Sequence, residues 1–287
     1  MSQVKQSIFT ALLFAFVIFA SSGELPAAGF DQFIGFGDST LDTGYFRYHS
    51  TGNPALDHAL AAAIAHGATG GFAGNGEMGT TMLAGRFGLS ASPIGGGGTN
   101  YAVGGALTAA DLPPTVSVVR QIWNYLASVN GVANPHALYV ISSGNNDLTY
   151  ASHFPDSLRE QAPSLAAAVA ALQAAGARNI MVPNFYNSAV FAGLGGDIDK
   201  NKAGLYARSV SYGLERWSSL TAAGVHFIPV DLDSVFRYVV QHPTLFGFTA
   251  SSVLASSAPS SILTSTTHRA SPAIPAPLFW AVWAWNI

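Results

Sequence analysis

Phe33-Ile34-Gly35-Phe36-Gly37-Asp38-Ser39-Thr40-Leu41-Asp42-Thr43-Gly44 carries an apolar run straight into a glycine-flanked turn that displays a serine. Five residues of strand character end at Gly37, where a residue without a Cβ is expected to let the backbone bend sharply. The Ser39 hydroxyl then stands clear of its own main chain, within reach of a base and of a substrate carbonyl, as a nucleophile must be. Read alone, Gly-Asp-Ser is equally a strand followed by a helix cap, because Asp and Ser both cap helices well. The rest of the chain decides between the two.

Outward from this strand, further apolar runs fall at Ala137 to Ser142, Asn179 to Pro183 and Val225 to Val230. Runs of this length without polar alternation read as parallel strands buried on both faces. Between them lie helical patterns. Ser117 to Val129 has helical spacing, and Pro163 suits the first turn of an alanine-rich helix in which Leu165, Val169 and Leu172 share one face, with Gly176 as its stop. The alternation predicts a three-layer α/β/α fold with a mainly parallel sheet and a site on the loops at the carboxyl ends of its strands. The glycine-rich stretches Gly67 to Gly79 and Gly95 to Gly98 are expected to be loops on the substrate side.

Two later stretches change the weight of the serine turn: Gly98-Thr99-Asn100-Tyr101-Ala102-Val103-Gly104-Gly105-Ala106 and Leu138-Tyr139-Val140-Ile141-Ser142-Ser143-Gly144-Asn145-Asn146-Asp147-Leu148. Together with the serine turn, in this order, they resemble blocks of the GDSL, or SGNH, family of ester hydrolases, over roughly Phe33 to Thr249. The resemblance implies that Ser39 is the nucleophile, that Gly105 supplies a main-chain donor (with Gly104 the alternate), and that the Asn146 amide completes an oxyanion hole. It implies an esterase or lipase acting through an acyl-serine, with no metal or organic cofactor. The residue types suit that chemistry, since neutral donors aimed at a developing oxyanion contribute on the order of 3 kcal/mol each. Taken singly, Gly104-Gly105 also reads as an ordinary turn and Asn145-Asn146-Asp147 as a helix start.

Composition bounds the partners. The 287 residues carry a net charge of −3, with 9% charged against 49% hydrophobic residues and no basic run, which argues against a nucleic-acid partner. So low a charge density permits broad apolar surface, suited to poorly soluble or lipid esters and to peripheral membrane contact. Oligomeric state is not legible. Cysteine is absent, so disulfides and thiolate chemistry drop out. Lys5 precedes the apolar run Ile8 to Ala20, followed by small residues at Ser21-Ser22-Gly23 and Ala27-Ala28, the pattern of a secretory signal peptide cleaved after Ser22 or after Ala28. The expected organisation is a signal peptide over 1–28, a hydrolase domain over 29–250 and an anomalous tail over 251–287, with the mature protein secreted or held at the outer surface.

The general base is the missing part. Family members supply it in an Asp-x-x-His block near the C-terminus, yet no Asp or Glu follows Asp233 here. His242 stands in Gln241-His242-Pro243-Thr244 with Val239 where an Asp would be, and is read as a decoy; His268 has Ser265 in that place. Leu278-Phe279-Trp280 resembles the lead-in to the block, which puts Ala281 at the Asp position and Ala284 at the His position. The expectation is a reading frame lost after Thr249, most simply just after Trp280; the rival is a divergent apolar tail for lipid or partner contact. Such a product would hold esters or glycans without turning them over. Asp197 and Asp199 do not match a calcium-loop spacing, and His49, His58, His66, His136, His153 and His226 have no partner spacing that marks a ligand set or a triad.

Overall fold

Phe33, Ile34 and Phe36 are each at most 1% exposed, because both faces of their strand are covered. This strand, β1 (Gln32–Gly37), pairs in parallel with β2 (Ala137–Ser142), β2 with β3 (Asn179–Pro183), and β3 with β4 (Ile228–Val230), giving a four-stranded sheet in the order β1-β2-β3-β4. The computed structural model describes residues 29–67, 78–144, 146–147, 161–184 and 213–246. All but Gly29 and Phe30 of these fall in one compact unit, Asp31–Ile287. The signal-peptide stretch, the tail with His268, His153 and the Asp197–Asp199 segment lie outside the described residues.

The first three strands match their sequence expectation closely, and β4 is shorter than the expected Val225 to Val230. Its first residues are used elsewhere. The Val225 N–H closes the helical stretch 213–222 onto the Leu220 carbonyl, and Phe227 packs its ring against Trp217.

Helices α1 (Pro54–Ala65) and α2 (Gly79–Arg86) lie between β1 and the Gly98–Ala106 stretch. α3 (Val118–Ser128) and α4 (Gln161–Ala174) cover one face of the sheet. α3 begins where its sequence says it should, with the Ser117 hydroxyl accepting the Arg120 N–H. Its Val118, Ile122 and Tyr125 meet Leu165, Val169 and Leu172 of α4 over Ile34, Phe36, Tyr139, Ile141 and Ile180. Gly176 ends α4 at φ 125°, as its position predicted. The other face is closed too, since Phe33, Leu138 and Val140 are buried. α5 (Leu232–Gln241) follows β4. Among the described residues no helix is long and apolar enough to cross a membrane.

Parallel strands put their carboxyl ends on one edge, so the loops after Gly37, Ser142 and Pro183 open on the same side. The Gly98–Ala106 stretch reaches that side as well. It runs alongside the free edge of β1, with the Gly35 N–H donating to Thr99 O, and the Tyr101 and Val103 N–H groups donating to Gly35 O and Gly37 O.

Candidate active site

The serine turn is built from its own backbone and one buried amide. The Leu41 and Asp42 N–H groups both donate to the Asp38 carbonyl, at 3.1 and 3.0 Å, which places Ser39 at the outer corner, half-buried. Gly37 ends β1 directly before the turn and is not among the residues with positive φ, so no left-handed backbone requires a glycine there. Its glycine is required by space. A Cβ there would stand 2.8 Å from the Ser142 carbonyl oxygen and 3.0 Å from Leu41 Cδ1, so the strand tip can pack against β2 only without a side chain.

Gln121 holds the same residue from the other side. The Gly37 N–H donates to Gln121 Oε1 at 2.8 Å, while Gln121 Nε2 donates to Gly37 O and Val116 O, each at 2.9 Å. A side-chain amide thus takes up the Gly37 N–H and shares the Gly37 carbonyl with the Val103 N–H, two residues before Ser39. Gln121 was not singled out from the sequence, although a polar residue on the core-facing stripe of α3 was the signal.

The other two predicted positions approach this turn by a short path. Gly104 lies beside Ser39: a Cβ on it would be 4.0 Å from Ser39 Cβ. Gly105 is exposed with φ 82°, a conformation that favours glycine. Asn146, 1% exposed, donates from Nδ2 to the Ala106 carbonyl at 2.7 Å, so its amide is anchored to the residue next to Gly105. Asn146 is also helical, so the helix-start reading and the site reading describe one residue. Asp147 braces the same loop by accepting the Thr108 N–H and hydroxyl. Among the described residues, the Ser39 hydroxyl and N–H and the Gly105 N–H have no hydrogen-bond partner, and one Asn146 Nδ2 hydrogen stays uncommitted.

His242 sits at the far end of α5 from β4, exposed, its ring tilted against Tyr238 at 4.6 Å. Among the described residues no histidine bonds Ser39.

Beneath the site lies a charged layer that sequence reasoning missed. Arg216 is fully buried, donating to the Ser143 hydroxyl and the Pro183 carbonyl at the ends of β2 and β3. Asp38 accepts the Thr40 N–H and hydroxyl through one oxygen, while its Oδ2 has no hydrogen-bond partner among the described residues. A single Arg in a segment without other motif residues offered no sequence signal.

Burial pushes three carboxyls up: Asp38, with Thr40 and the Arg216 charge opposing, and Asp42 and Asp147, both to about 6. A carboxyl whose folded pKa exceeds its unfolded value stabilises the fold below the unfolded pKa, and that contribution is lost as pH rises through the folded pKa. For Asp42 and Asp147 the window runs from about 4 to about 6, worth on the order of 2–3 kcal/mol apiece. Asp57, Asp111 and Asp231, which hydrogen bonds hold below the usual range, act only at lower pH. The thermal midpoint should therefore hold or rise on acidification from pH 6.5 to 4.5, and the rise should flatten in Asp147→Asn. A midpoint that drops steadily over that interval in the unsubstituted chain would contradict it.

The profile of the GDSL-like Lipase/Acylhydrolase family matches residues 34–220, more than half of the chain. Lipase 1 of Photorhabdus luminescens is 38% identical over 91 residues, which cover 30% of this chain and 14% of that protein. The chain thus aligns with a small part of that relative's length. The matched span begins in β1 and takes in the serine turn, the Gly104-Gly105 turn and Asn146. The chain belongs to the GDSL-like lipase/acylhydrolase family.

Proposed function

We propose that this chain is a secreted carboxylic ester hydrolase in which Ser39 attacks the ester carbonyl and water then releases the acyl group. The observation that carries the reading is the set of uncommitted donors at one edge of the sheet: the Ser39 and Gly105 N–H groups and the second Asn146 Nδ2 hydrogen. Attack by the Ser39 hydroxyl turns the carbonyl oxygen into an oxyanion, and these three neutral groups stabilise it without any change of protonation. Collapse of the intermediate expels the alcohol and leaves the acyl-serine, which water cleaves by the same sequence in reverse. Secretion rests on the leader pattern over 1–28, and substrate class on the family and on a surface of low charge.

The base sets the rate. With Ala281 and Ala284 where the resemblance of Leu278-Phe279-Trp280 puts Asp and His, this chain is expected to turn over p-nitrophenyl esters only weakly, and His268→Ala is expected to leave that residual rate unchanged. Restoring the pair as Ala281→Asp with Ala284→His, or restoring the reading frame after Thr249, should raise turnover by roughly 10³-fold or more, the scale on which a triad base acts. A folded protein that hydrolyses no ester in any of these forms would overturn the hydrolase reading. No turnover by the unsubstituted chain, with turnover regained in the base-restored form, would favour the second reading, a base-impaired product that at most binds esters or glycans, for which the absence of any carboxylate after Asp233 is the supporting observation.

A further inference from the structure

We propose that Asp42 is a positioning residue that decides which main-chain N–H of the Gly104-Gly105 turn faces the Ser39 hydroxyl. The inference rests on the ester-hydrolase reading of Ser39 and adds to it the group that holds the glycine donor.

Asp42 follows Ser39 by three residues, and its side chain turns inward, 1% exposed. Through Oδ1 it accepts the Gly44 and Tyr45 N–H groups, each at 2.7 Å, which closes the serine turn on itself. Through Oδ2 it accepts the Gly104 N–H, also at 2.7 Å, which ties that turn to the glycine turn. Bonds this short from N–H to a carboxylate are of the stronger, charge-assisted kind. The two loops are in close contact at this tie, since a Cβ on Gly104 would be 3.4 Å from Asp42 Oδ2 and 4.0 Å from Ser39 Cβ.

The consequence is a choice between two neighbouring donors. An oxyanion seeking the Gly104 N–H would have to displace a buried carboxylate already bonded to it. The next N–H along, on Gly105, has no partner among the described residues and belongs to a residue at φ 82°. Asp42 therefore takes Gly104 out of the oxyanion hole and, by fixing its peptide, aims the following one. Without the tie the glycine turn would be free to drift relative to Ser39, and about 1 Å of misplacement at a reacting centre can lower turnover by roughly 10²-fold.

Asp42→Asn tests this selectively. The Asn carbonyl oxygen can keep the Gly44 and Tyr45 bonds, which leaves its NH₂ facing the Gly104 N–H, a donor against a donor. Amide hydrogen exchange on the unsubstituted chain should show Gly104 protected. In Asp42→Asn its exchange should accelerate by about tenfold or more, while the Gly37 amide, held by Gln121, stays protected. In the base-restored form, kcat should fall roughly 10- to 100-fold with KM within about twofold. Asp57→Ala, which removes the bonds to Ser50 and Thr51 near the start of α1, should leave kcat unchanged and so separates positioning from general loosening.

Free exchange at Gly104 in the unsubstituted chain would overturn the proposal whether or not ester is hydrolysed, and that measurement stands even where the variant fails to fold. So would an unchanged kcat in an Asp42→Asn protein whose Gly104 has lost protection. A protected Gly104 in a folded, base-restored chain that hydrolyses no ester would instead bring down the hydrolase reading, and the positioning role with it.

Discussion

Ser39→Ala in the base-restored form is expected to lower ester turnover by at least ~10⁴-fold, because without the hydroxyl no acyl-enzyme forms and only binding and the oxyanion donors still assist. Folding should hardly change. Ser39 is half-buried at a turn corner, and among the described residues its hydroxyl has no hydrogen bond to lose. Asn146→Ala should lower turnover by roughly 10²- to 10³-fold, the scale for one oxyanion donor. It differs in kind: it also breaks the bond to the Ala106 carbonyl, so a loss of about 1 kcal/mol in stability should accompany it. Steady-state kinetics and thermal unfolding on the same preparations separate the two. Undiminished hydrolysis by Ser39→Ala would remove Ser39 from the mechanism.

Arg216→Met is expected to be the most destabilising single change in the described fold. Its guanidinium is fully buried, joins the ends of β2 and β3 through Ser143 and Pro183, and is the positive charge that opposes burial at Asp38. Removing one partner from a buried charge arrangement costs about 3–5 kcal/mol, because the remaining charge keeps its desolvation penalty. For a domain of this size that is a fall of roughly 10 °C in thermal midpoint. Arg216→Lys should recover part of the loss, since it restores the charge but not the planar fork that reaches two acceptors. A midpoint within about 2 °C of the unsubstituted chain in Arg216→Met would show that Asp38 is compensated by other means.

By itself the sequence determined the parallel sheet and the order of its strands along the chain, because a doubly buried strand must be continuously apolar and helices must show their 3.6-residue period. β2 and β3 run as expected, and α3 begins at Ser117 as its cap residue requires. It also determined the family, since three blocks in a fixed order survive without knowledge of distances. What it could not decide were the parts whose partners lie far along the chain. Gly37 reads as a hinge in sequence, yet the approach of Ser142, 105 positions later, is what excludes a side chain there. Gln121 reads as one polar residue on an apolar helix face, and only the packing of α3 against β1 shows it bonding Gly37. Asp42 reads as part of a turn motif until the Gly104 N–H is found on its other oxygen. Arg216 carries no local pattern, because a buried charge is defined by what surrounds it. Local periodicity encodes which residues are buried, but a hydrogen bond between distant segments exists only once the sheet has set their separation, and the positioning of this site is made of such bonds.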